Sequence, residues 1–211
     1  MLNNFWLGSC LAALAGLQPI GVSALLERHR VNAISSGTIS SHKLKFTGAG
    51  GRDVYNPTKP FSIKFLGQMV HILAARVESR DSEVSEVMFF AKAGDYWSVV
   101  ENSPVFKLQD PFFTFVDEEF VFGGVEVREK NGGGYDYKTV FYKGRSLESV
   151  TQFTEGPQGM KDIRLVQLND KKIGLFTRPQ GKISGTDIDA GPGKIGFTVI
   201  QSLTDLTATT I

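Results

Sequence analysis

Asn56, Asp110 and Asp162 occupy one place in a pattern that returns about every fifty residues. Asn56-Pro57 precedes a strand and then Leu73-Ala74-Ala75-Arg76. Asp110-Pro111 precedes a strand and then Val121-Phe122-Gly123-Gly124. Asp162-Ile163 precedes a strand and then Leu175-Phe176-Thr177-Arg178. Arg76, Glu78, Glu126 and Arg178 come at the end of the small-residue strand, read as the innermost of each unit. Units repeated around an axis bring equivalent positions together at its mouth. Carboxylates and guanidiniums ringing such a mouth suit a ligand rich in hydroxyls, which both donate and accept. A carboxyl group there can also protonate a glycosidic oxygen.

Each residue has a plainer reading beside this one. Asp before Pro is a common turn. The stretch Arg76-Val77-Glu78-Ser79-Arg80-Asp81-Ser82-Glu83 reads as a solvated charged loop. Lys161-Asp162-Ile163-Arg164 alternates as a half-buried strand would, and Gly123-Gly124 suits close backbone packing. His29, His42 and His71 lack metal-ligand spacing, and a single cysteine, Cys10, excludes an intrachain disulfide. Gly48-Ala49-Gly50-Gly51 lacks the Lys-Ser/Thr tail of a nucleotide-phosphate loop, and there is no Gly-x-Ser-x-Gly elbow.

The elements that must position these residues are strands. Past residue 40, short runs rich in Val, Ile, Phe and Tyr alternate with Gly, Asn and Asp. Of 211 residues, 41% are hydrophobic and 16 are Phe, enough for a sizeable core. The net charge of +1, with acids and bases interspersed, excludes nucleic acid as the main partner. Residues 1–24 fit two descriptions: a secretory signal, with an apolar run from Phe5 to Leu17 before Val22-Ser23-Ala24, or an amphipathic helix continuing through Leu25-Leu26-Glu27-Arg28. Secreted and cytoplasmic locations therefore stand as equal alternatives. The apolar run is too short to span a bilayer as a helix. The expected fold is all-β over residues 25–211, a β-propeller with about three blades present. Closed propellers have more blades, so the expectation is a chain cut short, with an open face through which it self-associates.

At this point the residues resemble a known family. Asp53-Val54-Tyr55-Asn56-Pro57-Thr58 and Ala75-Arg76-Val77-Glu78-Ser79-Arg80-Asp81-Ser82-Glu83 begin the match. Leu108-Gln109-Asp110-Pro111-Phe112, Phe122-Gly123-Gly124-Val125-Glu126-Val127 and Gly156-Pro157-Gln158-Gly159-Met160-Lys161-Asp162-Ile163-Arg164 continue it. Phe176-Thr177-Arg178-Pro179-Gln180-Gly181 and Gly193-Lys194-Ile195-Gly196-Phe197 end it. Together they resemble a family long labelled a domain of unknown function, whose members include β-1,2-mannosyltransferase/phosphorylases. That family is similar to the mannoside phosphorylases of glycoside hydrolase family 130. The resemblance implies a five-bladed propeller, with the N-terminal three-fifths present here. It implies that Asp110 is the general acid while inorganic phosphate, a co-substrate rather than a cofactor, attacks the anomeric carbon. Asn56 and Arg76 would hold the non-reducing mannose. Glu78, Asp81, Gln109, Glu126 and Asp162 are further substrate-binding candidates, and Lys161, Arg164 and Arg178 are candidates for phosphate. The stretch Ile183 to Pro192 departs from the family as an insertion between two matched motifs.

Three functions follow as alternatives. The first is a mannoside phosphorylase or mannosyltransferase acting on β-mannosides or mannose 1-phosphate. The second is an arabinanase/sucrase-like glycosidase, in which water attacks. The third is an inactive carbohydrate-binding fragment.

Overall fold

The computed structural model describes residues 22–35, 42–180, 191 and 193–211. Cys10, the whole apolar run from Phe5 to Leu17 and, apart from Gly191, the stretch Ile183 to Pro192 lie outside the described residues. The chain divides into two units, Met1–Lys43 and Leu44–Ile211. Within the first, helix α1 spans Val22–Ser35. Leu25, Leu26 and Val31 on it are exposed. Among the described residues no helix is long and apolar enough to cross a membrane.

The second unit is built of strands in three sheets. The first sheet holds β1 (Phe46–Thr47), β2 (Asp53–Tyr55), β3 (Phe61–Phe65), β4 (Gln68–Glu78), β5 (Ser85–Ala93) and β6 (Tyr96–Val99). Its order is β1-β6-β5-β4-β2, with β3 also pairing β4. The second sheet holds β7 (Gln109–Val116), β8 (Glu119–Glu129), β9 (Tyr135–Gly144) and β10 (Thr151–Glu155), ordered β10-β9-β8-β7. The third holds β11 (Arg164–Gln167), β12 (Ile173–Thr177) and β13 (Gly196–Ile200) in chain order. Each sheet takes its strands from one unit of the sequence repeat, except that β1 and β2 of the first sheet precede Asn56. All pairings within them are antiparallel except that of β1 with β6.

Side chains alternate between faces along a strand, so a strand between two cores is apolar at every position. β8 shows this: Phe120 and Phe122 enter one core and Val121 the other. The first of these cores joins the first two sheets through Phe61, Ile63, Ile72, Phe89, Phe120 and Phe122. The second joins the second and third sheets through Phe112, Val121, Phe141, Ile163, Leu165, Ile173 and Leu175. On the far face of the first sheet, Leu73, Ala75, Val77, Phe90 and Trp97 pack with Ala49. On the third sheet Val166, Phe176, Phe197 and Val199 remain exposed.

The small-residue strands take a different place from the one read in the sequence. β4, β8 and β12 are flanked by strands on both sides, while β2 with β3, β7 and β11 form the sheet edges. Their small residues answer to packing. A Cβ on Gly123 would lie 2.5 Å from the Val140 carbonyl oxygen, and one on Gly174 would lie 2.8 Å from the Phe197 ring. Arg76, Glu78 and Glu126 therefore rise from second strands, and Arg178 follows one.

Candidate functional site

The three repeated Asx residues sit where edge strands break. β2 and β3 both pair with β4, and Asn56-Pro57 lies in the gap between them. In β7 the register slips between Gln109↔Val125 and Phe112↔Gly123, so Asp110-Pro111 bulges opposite Gly124. Asp162 lies two residues before the start of β11. All three adopt left-handed backbone, with φ of 44° at Asn56, 48° at Asp110 and 63° at Asp162. Few residues other than glycine take this conformation, and Asn and Asp take it most readily. At the first two breaks the following proline has no N–H to offer a ladder. The repeat in sequence is thus a repeat in backbone conformation.

The breaks bring the side chains of two sheets into contact. Asn56 Nδ2 donates to Asp110 Oδ1 at 2.6 Å, and Arg76 Nη1 lies 3.5 Å from the same oxygen. These contacts fix the plane of the Asp110 carboxyl group and leave Oδ2 outside them. Arg76 is held in turn. Its Nε donates to Glu78 Oε2 at 2.8 Å and to Ser85 Oγ at 3.0 Å, while Ser85 Oγ donates to Glu78 Oε2 at 2.5 Å. Gln109, buried beside Asp110, donates from Nε2 to the Glu83 carbonyl oxygen at 2.7 Å. That bond ties the turn after β4 to the base of β7.

The third sheet joins through Arg164. Its Nη2 donates to the Asp110 carbonyl oxygen at 3.4 Å and lies 3.6 Å from Asp162 Oδ1, and its Nη1 donates to the Ile163 carbonyl oxygen at 3.1 Å. The guanidinium stacks 4.6 Å from the centre of the Phe112 ring. Burial pulls the Arg164 pKa below its ordinary value, against the opposing pull of Asp162 and Asp110. Asp162 Oδ2 accepts from Arg178 Nη1 at 2.6 Å. Lys161 Nζ sits 5.5 Å from the centre of the Tyr137 ring.

Asn56, Arg76, Glu78, Gln109 and Asp110 therefore form one connected group, extended through Arg164 to Asp162 and Arg178. Three candidates stand apart from it, Lys161 against the Tyr137 ring being one. Asp81 is exposed on the turn after β4. Glu126 meets Arg128 Nη2 at 3.0 Å and Lys138 Nζ at 3.6 Å, in a cleft of about 90 Å³ shared with Tyr137 and Gln158. Its buried Oε2 accepts no well-aligned hydrogen bond among the described residues. A larger groove of about 830 Å³ opens beside the β7–β8 turn, at the far end of β7, and contains none of the candidate residues. Sequence reasoning missed Ser85. The available signal was a hydroxyl preceding Val87 and Phe89 on one apolar face of β5.

Three sheets in sequence, with a polar cluster drawn together from their edges, define an all-β protein. The family described as protein of unknown function, DUF1861, matches residues 32–211, and the chain belongs to it. Solved structures extend the likeness. The mannose phosphorylase MPT-4 from Leishmania mexicana, in complex with a phosphate ion, is 33% identical with a TM-score of 0.70, over 90% of this chain and 56% of that one. MPT-1, a GDP-Man-dependent mannosyltransferase from Leishmania mexicana, is 34% identical with a TM-score of 0.70, over 87% of this chain and 55% of that one. A hypothetical protein from Leishmania major is 31% identical with a TM-score of 0.67, over 86% of this chain and 56% of that one. This chain thus spans a little over half the length of these structures. No curated protein matches the sequence.

Proposed function

We propose that the chain carries the Asp110 half of a mannoside-processing centre of the phosphorylase/mannosyltransferase type. The observation that carries this reading is the Asn56–Asp110 contact at 2.6 Å between two left-handed edge-strand breaks, in a fold shared with a mannose phosphorylase. In this reading the three sheets are blades of a five-bladed propeller, and their edge strands line its axis. The exposed face of the third sheet, with Phe176 and Phe197, is where a fourth blade would rest. In the chain alone that face is open to self-association.

The geometry supports a division of roles. Asn56 and Arg76 grip Oδ1, so Asp110 delivers its proton from Oδ2 to the bridging glycosidic oxygen. Phosphate attacks the anomeric carbon, the bond to the bridging oxygen breaks, and mannose 1-phosphate leaves with the other sugar bearing the new proton. Asn56, Arg76, Glu78, Gln109 and Asp162 shape the sugar side. Arg178 and Lys161 supply charge for phosphate, since guanidinium and ammonium groups suit its oxygens. Arg164 contributes charge too, while its bond to the Asp110 carbonyl oxygen supports the bulge.

The test is incubation of the chain with β-1,2-mannobiose with and without inorganic phosphate. Mannose 1-phosphate formed only with phosphate supports the proposal. Free mannose formed equally without phosphate favours the glycosidase. Binding without turnover favours the carbohydrate-binding fragment.

A further inference from the structure

Tyr55 lies on β2 immediately before Asn56 and pairs with Arg76 of β4. Partners across a ladder project from the same face of a sheet. The phenol ring therefore rises from the face on which Arg76 reaches Asp110 Oδ1. The ring is not core: Tyr55 is 38% exposed. Yet its orientation is fixed. The hydroxyl donates to Asp53 Oδ2 at 3.0 Å. Arg80 clamps that carboxylate from the other side, with Nε 2.9 Å from Oδ2 and Nη2 3.1 Å from Oδ1. The hydrogen bond to Asp53 pushes the Tyr55 pKa above the usual phenol range, so the hydroxyl remains a donor. An ion pair on the surface contributes little to stability. Here it braces an aromatic ring that stands open beside the Asp110 centre.

We propose that Tyr55 is the aromatic platform of the sugar site, the specificity-determining residue on which one mannose ring packs, with Asp53 and Arg80 as its positioning residues. This rests on the mannoside reading above. An aromatic face is electronegative and attracts polarised C–H groups. A β-mannoside presents the axial hydrogens of C1, C3 and C5 on one face, while its axial 2-hydroxyl points from the other. A ring packed on the first face directs the 2-hydroxyl away from the platform. The opposite orientation would press that hydroxyl into the ring.

The experiment titrates the 211-residue chain with β-1,2-mannobiose by calorimetry, with saturation-transfer NMR on the sugar protons. Tyr55→Ala should weaken binding about three- to tenfold and remove transfer to the H1, H3 and H5 protons of one mannose. Tyr55→Phe keeps the ring and should stay within about twofold, with the transfer pattern preserved. Arg80→Ala leaves the ring in place but unbraced and should weaken binding about twofold. Thermal melts of each variant confirm folding. Arg76→Ala reports on the site itself. If Arg76→Ala loses binding while Tyr55→Ala binds as the wild type does, the platform is refuted and the mannoside reading stands. If the wild-type chain binds no mannobiose, both are refuted.

Discussion

Replacing Gly124 with alanine adds a methyl group where the second sheet has no room for one. Its Cβ would lie 2.7 Å from the Gln109 carbonyl oxygen and 3.1 Å from Leu108 Cβ. Ordinary contact begins at 3.4 Å, so the backbone at Gln109 must retreat by 3.4 − 2.7 = 0.7 Å. Gln109 precedes Asp110 and holds the Glu83 carbonyl oxygen at 2.7 Å. The retreat therefore moves Asp110 and strains the tie to the turn after β4. Overpacking of this kind costs about 1–3 kcal/mol. The lower chain entropy of unfolded alanine offsets about 0.4–1 kcal/mol of that. A net loss of about 1–2 kcal/mol corresponds to a fall of about 2–8 °C in melting temperature for a domain of this size. Calorimetry measures the fall, and the NMR resonances of the Asn56 side-chain amide report on its bond to Asp110. A variant that melts within about 1 °C of the wild type, with the Asn56 amide unmoved, would refute the bulge argument.

Three further outcomes are expected. Phe122 is fully buried among the rings of Phe89, Phe106, Phe120 and Tyr142, so Phe122→Ala should cost about 3–5 kcal/mol in denaturant unfolding; a loss under about 1 kcal/mol would contradict its place in the core. Burial and the charge of Glu126 push the Tyr142 phenol above its ordinary pKa, so this group adds stability below about pH 10 that is lost as pH rises through its folded value; Tyr142→Phe should flatten the alkaline fall in stability, and an unchanged slope would count against it. Lys161→Ala and Arg178→Ala should raise KM for phosphate more than KM for mannobiose, whereas equal increases would assign both residues to the fold.

The Asx repeat was legible because its cause is local. Asn56, Asp110 and Asp162 each hold a left-handed turn, a demand that single residues answer. The identity of the edge strand was not legible. Small residues at Ala74-Ala75 and Gly123-Gly124 suggested an innermost strand, but they are small because these strands are covered on both faces and flanked on both sides. The charged run from Arg76 to Glu83 resembles a solvated loop for a related reason. Its buried member, Arg76, is satisfied by Glu78, by Ser85 of the next strand and by Asp110 of the next sheet, and such partners are visible only after folding. Glu126 follows the small residues of its strand as Arg76 does, yet its neighbours Arg128 and Lys138 engage it in a separate cleft.

The central claim is that Asp110 supplies the proton at a mannoside bond. The direct measurement is mannose 1-phosphate formation from β-1,2-mannobiose and phosphate by the wild-type chain and by Asp110→Asn, with sugar affinity recorded alongside. Asparagine keeps the size, the tolerance for left-handed backbone and one carbonyl oxygen, and replaces the acidic oxygen with an amide nitrogen that cannot serve as a general acid. The predicted result is a loss of turnover of about two to four orders of magnitude with binding retained. Turnover by Asp110→Asn at close to the wild-type rate would contradict the account and leave Asp110 as a turn residue.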